Sequence, residues 1–263
     1  MKPPVFDPAW PSDVQALYRH DMSEMWDRSI SPNVWNQYHN QLDIYLGLAG
    51  RDVKLDILDV GCAQATLALL LAERGHVVSA MDIRQQFLDY AASRHESGSV
   101  RFICANVMDQ APGGTFDLIF ANQIIEHLVY PTDLVERLAA WLRPGGRLVV
   151  TTPNGEYVKN ALPAFAEIGD PSLHAGSQYS ADADGHFFAY RPEELTRIFR
   201  DAGLPAQIRF FETPWISGHM KLRFLHPFTS QALLRGLDRL TLGIPLLGRR
   251  LAHQLMAIGE KGA

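Results

Sequence analysis

The amino-acid sequence predicts an α/β fold: a doubly wound, mostly parallel sheet with helices on both faces. Three observations predict it. From Leu55 onward, strand-like runs alternate with helix-like runs at the spacing of strand–helix–strand units. The stretch "LDILDVGCAQATLALLLAERG", Leu55 to Gly75, reads as a strand, a tight turn and a helix. Two late strand-like runs, parted by a helical insertion, suggest an antiparallel pair at one edge.

The elements follow in order. Residues 1–50 are polar and aromatic and are expected to form a helical cap ahead of the main fold, which takes 51–263. In the cap, Ser31 before Pro32 is a good helix start. Trp35, Tyr38, Leu42 and Tyr45 recur every three or four residues as one apolar face, and Gly47 and Gly50 are expected to end it. Strand "LDILDV" then leads to a helix over 64–74, strand "VVSAMD" to a helix over 84–94, and strand "VRFICA" ends near Asn106. Strand "FDLIFAN" leads to a helix near 131–142, after which "RPGG" is expected to turn into strand "RLVVTT". Residues 153–190 read as a long loop region with Pro153, Pro163 and Pro171 and one short helix. "RPEELTRIFRDAG" is a helix with Pro192 in its first turn and Gly203 as its stop, followed by strand "AQIRFFE". Residues 218–250 are helical, basic and apolar, and "AHQLMAIGE" is the last strand. The 153–190 and 213–250 segments are expected on the substrate side.

Composition narrows the function. The chain has 263 residues, is 47% hydrophobic and carries a net charge of −5, so a substantial core is expected and no basic stripe marks nucleic acid as a partner. Cys62 and Cys104 read as reduced packing residues of a cytoplasmic protein, and "MKPPVFDPAW" lacks the apolar core of a signal peptide. No His, Cys and carboxylate cluster has zinc spacing, and no metal is assigned.

In an open parallel sheet, ligands sit at the C-terminal ends of the strands. The turn after the first strand should therefore hold one. Dinucleotide folds place G-x-G-x-x-G there, but the matching positions are Gly61, Ala63 and Thr66, so a pyrophosphate is disfavoured. A nucleoside with an amino-acid tail and no phosphate needs less. Asp59 before the turn suits an ammonium. Asp82, 21 residues after Gly61, suits two ribose hydroxyls with Ile83 beside it. Asn106 offers a polar group to an adenine edge and Val107 a packing surface. Ala63 and Ala65 are expected at ordinary negative φ.

"LDVGCAQATLALLLAERG", "VVSAMDI", "FDLIFANQIIEHL" and "LRPGGRLVVTTPN", in this order and spacing, resemble the class I S-adenosylmethionine-dependent methyltransferases. The closest flavour is the group that includes the ubiquinone-biosynthesis O-methyltransferases. The resemblance covers roughly Asp56 to Gly203 and implies a seven-stranded sheet with its last strand antiparallel. It implies S-adenosylmethionine as cofactor and a small-molecule acceptor, with oxygen favoured as the methylated atom. It also places Asn122 and Gln123 near the donor, and Glu126 and His127 near donor or acceptor. His186, in "ADGHFFAYRPEEL", ranks first as general base and His127 second, with His174 a poorer candidate. Asp59 could instead serve its helix, Asn106 a turn, and His127 the loop around it. The 213–250 insertion is open to four readings: packed cap, lid, homodimer contact, or a membrane-surface helix suited to a lipid-linked or quinone-like acceptor. A non-catalytic cofactor-binding or scaffold protein is the competing class, and a nicotinamide oxidoreductase ranks last.

Overall fold

The computed structural model describes residues 1–170, 172–173 and 188–262. Seven strands form one sheet in the order β3-β2-β1-β4-β5-β7-β6. They are β1 Asp56–Val60, β2 Val77–Asp82, β3 Ser99–Cys104, β4 Phe116–Asn122, β5 Leu142–Pro153, β6 Ala206–Phe211 and β7 Gln254–Glu260. β7 runs antiparallel to both β5 and β6, as the late strand pair suggested. Burial follows position: β1 and β2 are almost wholly buried, whereas the edge strands β3 and β6 alternate. Strands covered on both faces need continuous apolar runs; edge strands do not.

The chain divides into two compact units, 1–113 with 214–239, and 114–213 with 240–263. The first holds β1–β3 with α1 Ser12–Asp21, α2 Pro32–Ala49, α3 Thr66–Glu73 and α4 Gln85–Arg94. A five-residue π turn, Met22–Trp26, continues α1 directly, and no sequence signal foretold it. α2 starts at Pro32 as expected, but Gly47 lies inside it and Gly50 alone, at φ +74°, ends it. Its buried face includes Leu42 and Tyr45 but also Asn36 and Asn40, while Trp35 and Tyr38 are half-buried. α1 packs on α4 through Val14, Leu17, Phe87 and Tyr90, with Ala63 against the cluster.

The second unit holds β4–β7 with α5 Pro131–Ala140 and α6 Pro192–Asp201. Here "RPGG" lies within β5 instead of turning into it. Phe116 pairs with Leu142 and Leu118 with Arg147, so β5 bulges over residues 143–146 and resumes. Gly145 takes φ +74°, and a Cβ on Gly146 would sit 2.9 Å from the Arg143 carbonyl oxygen. Two glycines therefore keep one strand continuous across the bulge. Between β6 and β7 come α7 Pro214–Ser217, a 3-10 turn Leu222–Leu225, α8 Gln231–Leu242 and α9 Leu247–Leu251, the helical insertion expected there. Both cysteines are free thiols, but Cys104 is exposed at the rim of an edge strand and is not a core residue. Among the described residues no helix is long and apolar enough to cross a membrane.

Candidate functional site

In the first unit the site is built on the five residues after β1. Gly61 and Cys62 both donate their N–H groups to the Met81 carbonyl at the end of β2, at 2.7 and 3.1 Å. Gly61, Ala63 and Ala65 take φ of +65°, +46° and +55°. The expectation of ordinary φ for the two alanines is thus overturned. The chain must leave a buried strand and enter a buried helix within five residues, and three alternate left-handed residues do it. For an L-residue each such position costs about 1–2 kcal/mol. The helix consequently starts at Thr66 and not at residue 64.

A buried network braces this turn from below. Arg94 is fully buried and donates through Nη1 to the Gln64 carbonyl at 2.7 Å and through Nη2 to Thr66 Oγ1 at 3.0 Å. Its Nη2 also pairs with Asp21 Oδ1 at 3.1 Å, while Tyr90 Oη and Trp26 Nε1 donate to Asp21 Oδ2 at 2.7 and 3.1 Å. Gln64 in turn donates to Glu24 Oε2 at 2.7 Å. The N-terminal helices and the turn are therefore one hydrogen-bonded body. Sequence reading missed Arg94. The signal was present, because Arg94 continues the i, i+3, i+7 apolar face of Phe87 and Tyr90, where a charge needs a buried partner.

The two predicted carboxylates sit at the ends of adjacent strands, and each is only 4% exposed. Burial, reinforced by the nearby Asp82 charge, pushes Asp59 up to about 7, against the pull of a hydrogen bond from the Ala68 N–H in the first turn of α3. Asp59 therefore does serve its helix, as the alternative had it. Yet among the described residues it has no ion pair, which is unusual for so buried an acid. Asp82 Oδ2 accepts from the Ala63 N–H and Oδ1 from the Arg84 N–H, each at 3.0 Å. Oδ1 also accepts from Arg84 Nε at 3.5 Å, so of a carboxylate's roughly four lone-pair positions one, on Oδ2, is left without a donor among the described residues. A cation for Asp59 and a further donor to Asp82 Oδ2 are what this set lacks. Ile83 is 52% exposed, Val107 is buried, and Asn106 Oδ1 accepts from the Met108 N–H at 2.9 Å, so this side chain also shapes its turn.

The second unit carries the other predicted residues. Asn122 ends β4, and its Oδ1 accepts from Thr151 Oγ1 at 3.0 Å. Gln123 is left-handed at φ +54° and donates through Nε2 to Gln254 Oε1 at 3.0 Å. A 3-10 turn, Ile125–His127, follows, with Tyr190 Oη donating to the Ile125 carbonyl at 2.9 Å. Glu126 is fully buried there. Burial pushes its carboxyl up to about 8, opposed by its own backbone N–H and the Thr152 hydroxyl. His127 is half-buried and its backbone N–H donates to the Ile124 carbonyl at 2.9 Å. His186 and His174 lie outside the described residues.

Comparison with known proteins follows this geometry. Residues 14–206 match the family described as a methyltransferase domain. A ubiquinone biosynthesis O-methyltransferase of Coxiella burnetii is 27% identical over 163 residues, 56% of this chain and 62% of that protein. The match thus spans less than two thirds of that relative. An uncharacterized methyltransferase of Mycobacterium tuberculosis is 33% identical over 142 residues, 54% of this chain and 67% of that protein. Among solved structures, the magnesium protoporphyrin IX methyltransferase of Synechocystis PCC 6803, with bound SAH, is similar in fold at a TM-score of 0.58. It is 13% identical, with 95% of each chain covered.

Proposed function

The chain belongs to the methyltransferase-domain family, and from that premise we propose that it is a class I S-adenosylmethionine-dependent enzyme that methylates a hydroxyl oxygen of a small-molecule acceptor. The observation that carries the cofactor half of this reading is the pair of buried carboxylates, Asp59 and Asp82, at the ends of β1 and β2 beside the left-handed turn 61–65. Bound S-adenosylmethionine supplies a methyl group on a sulfonium, whose thioether is already a good leaving group. The protein's work is alignment and exclusion of water. Asp59 holds the ammonium end, and its proton leaves when that cation arrives. Asp82 accepts the two ribose hydroxyls, one on the open lone pair of Oδ2 and one on Oδ1 in place of the long Arg84 Nε contact, with Gly61 and Ala63 forming the floor. Ile83 and Val107 flank the adenine, and Asn106 turns its amide nitrogen to the ring edge. Asn122 offers its carbonyl oxygens to the donor.

A hydroxyl must lose its proton as it attacks, and a histidine with pKa near about 6.5 suits that task. His186 or His127 takes it. Oxygen, and a quinone-like or lipid-linked acceptor, are favoured by the motif resemblance and by the name of the Coxiella burnetii relative.

Titration calorimetry with S-adenosylmethionine and S-adenosylhomocysteine tests the cofactor half: Asp82→Asn is expected to weaken both at least tenfold, and unchanged affinity overturns the assignment. Turnover of hydroxylated aromatic acceptors tests the other half. His186→Ala or His127→Ala is expected to lower kcat by about 10²–10⁴ with cofactor binding intact. Tight cofactor binding without turnover of any acceptor would instead support a non-catalytic binder.

A further inference from the structure

Among the described residues, half of the large apolar side chains that are well exposed fall in one stretch, Met220 to Leu247. In the first unit these are Met220, Phe224, Phe228 and Leu233, with Phe224 63% and Phe228 87% exposed. Isolated exposed leucines are ordinary; a cluster with aromatics is not. The charge of the stretch is equally uneven. Residues 213–250 hold six Lys and Arg against one acid, Asp238, leaving 18 basic and 28 acidic residues in the rest of the chain. Asp238 is itself buried. Arg235 pairs with Asp43 and Arg249 with Glu156 and Glu193. Lys221, Arg223 and Arg239 are all exposed and have no acidic partner among the described residues.

This exposure is built by specific contacts. Arg28 Nη2 donates to the carbonyls of His226 and Thr229 at 2.7 and 3.2 Å, and Asn36 Nδ2 lies 3.0 Å from His226 Nδ1. A Cβ on Gly218 would sit 2.9 Å from that of Asn33. The segment is thus fastened by its backbone to Arg28 and through the His226 side chain to Asn36 of α2, and Phe224 and Phe228 on either side of His226 are left outside. The chain that follows, in the second unit, keeps the composition: Leu240, Ile244 and Leu246 are exposed, and so is Arg250.

We propose that residues 220–239 form a docking surface for an anionic lipid bilayer. Aromatic and aliphatic side chains among unpaired cations, with the nearby acid buried, match the surface of such a bilayer: the cations are drawn to its headgroups and the apolar side chains enter its interface. The net negative charge of the rest of the chain is repelled by the same surface, which favours approach through this segment. The inference does not depend on which acceptor is methylated.

Co-sedimentation of the full chain with phosphatidylcholine vesicles, with and without phosphatidylglycerol, tests it. Binding is expected to the anionic vesicles alone, to fall with added salt, and to survive inorganic phosphate at matched ionic strength. Phe224→Ser with Phe228→Ser, and separately Lys221→Glu with Arg223→Glu, are each expected to weaken binding about tenfold or more. The melting temperature and S-adenosylhomocysteine affinity of both double variants are expected to stay as in the parent, which keeps this test separate from the cofactor site. Protein that stays in the supernatant with both vesicles, or binding indifferent to both double variants, overturns the proposal. So does a dimer abolished by the phenylalanine variants with no vesicle binding, which would assign the surface to a second copy of the chain.

Discussion

Two buried acids of the first unit meet opposite circumstances. Asp21, on the N-terminal helices, is surrounded by Arg94, Tyr90 and Trp26. Asp59, at the end of β1, faces a second acid and the first turn of a helix, and among the described residues no cation. Burial raises both carboxyls above the usual range, with Arg94 opposing it at Asp21. The difference separates two uses of a buried charge. A charge whose partner lies within the fold holds structure. One buried beside its like, at a strand end where ligands bind in such sheets, is the place at which the proposed function seats a cation brought from outside.

The comparison breaks most visibly at Arg94. Replacing it with Met keeps the volume but leaves Asp21 buried without its cation, and strands the Gln64 carbonyl. Loss of one partner of a buried pair costs about 3–5 kcal/mol. Denaturant titration of Arg94→Met is expected to show a loss in that range. A second expectation tests the bracing itself: Arg94→Met with Asp21→Asn recovers part of the stability, because no charge is left unpaired. It does not recover the cofactor affinity of the parent, because the turn has lost its support. Recovery of both would make Arg94 a mere counter-ion.

Asp59 predicts the opposite sign. An acid whose folded pKa is about 7 and whose unfolded value is near 3.8 keeps its proton in the native state over that window while the unfolded chain loses it. Stability then falls as pH rises from 3.8 to 7 and stays lower above it, by up to about 4 kcal/mol. Asp59→Asn removes this penalty. It is expected to match the parent near pH 4 and to exceed it by about 2–4 kcal/mol at pH 8. Cofactor affinity of the parent is expected to rise about tenfold per pH unit below pH 7, since a bound cation needs the ionised acid, and to lose this slope in Asp59→Asn. A parent whose stability is flat between pH 5 and 8 would place Asp59 with Asp21 as a structural acid.

Much of this was legible in the sequence because it rests on periodicity and local chemistry. Continuous apolar runs mark the central strands, and Asp59 and Asp82 follow from their places at strand ends. Other features were not legible. Arg94 and Asp21 are 73 positions apart, and only packing of α1 on α4 brings them together. The bulge in β5 arises from register against β4, which a local turn signal such as "RPGG" cannot express. The left-handed alanines went against propensity: residue preference argued for negative φ, while the tie of Gly61 and Cys62 to Met81 dictates the path.

Those alanines yield the smallest expected effect and the finest test of the turn. Glycine at position 65 would relieve about 1–2 kcal/mol of left-handed strain. It would also remove a fully buried methyl group, worth about 0.8 kcal/mol, and add unfolded-chain entropy worth about 0.4–1 kcal/mol. At position 63 the methyl packs against Val14, Leu17, Phe87 and Tyr90, so the same terms oppose one another. Ala63→Gly and Ala65→Gly are each expected to leave stability within about 1 kcal/mol of the parent. Cofactor affinity is expected to stay within about threefold, because the backbone already follows the path a glycine would take. A gain beyond tenfold on calorimetric titration would show instead that the methyl groups obstruct the ligand, and that the turn is held closed against the cofactor it was read to receive.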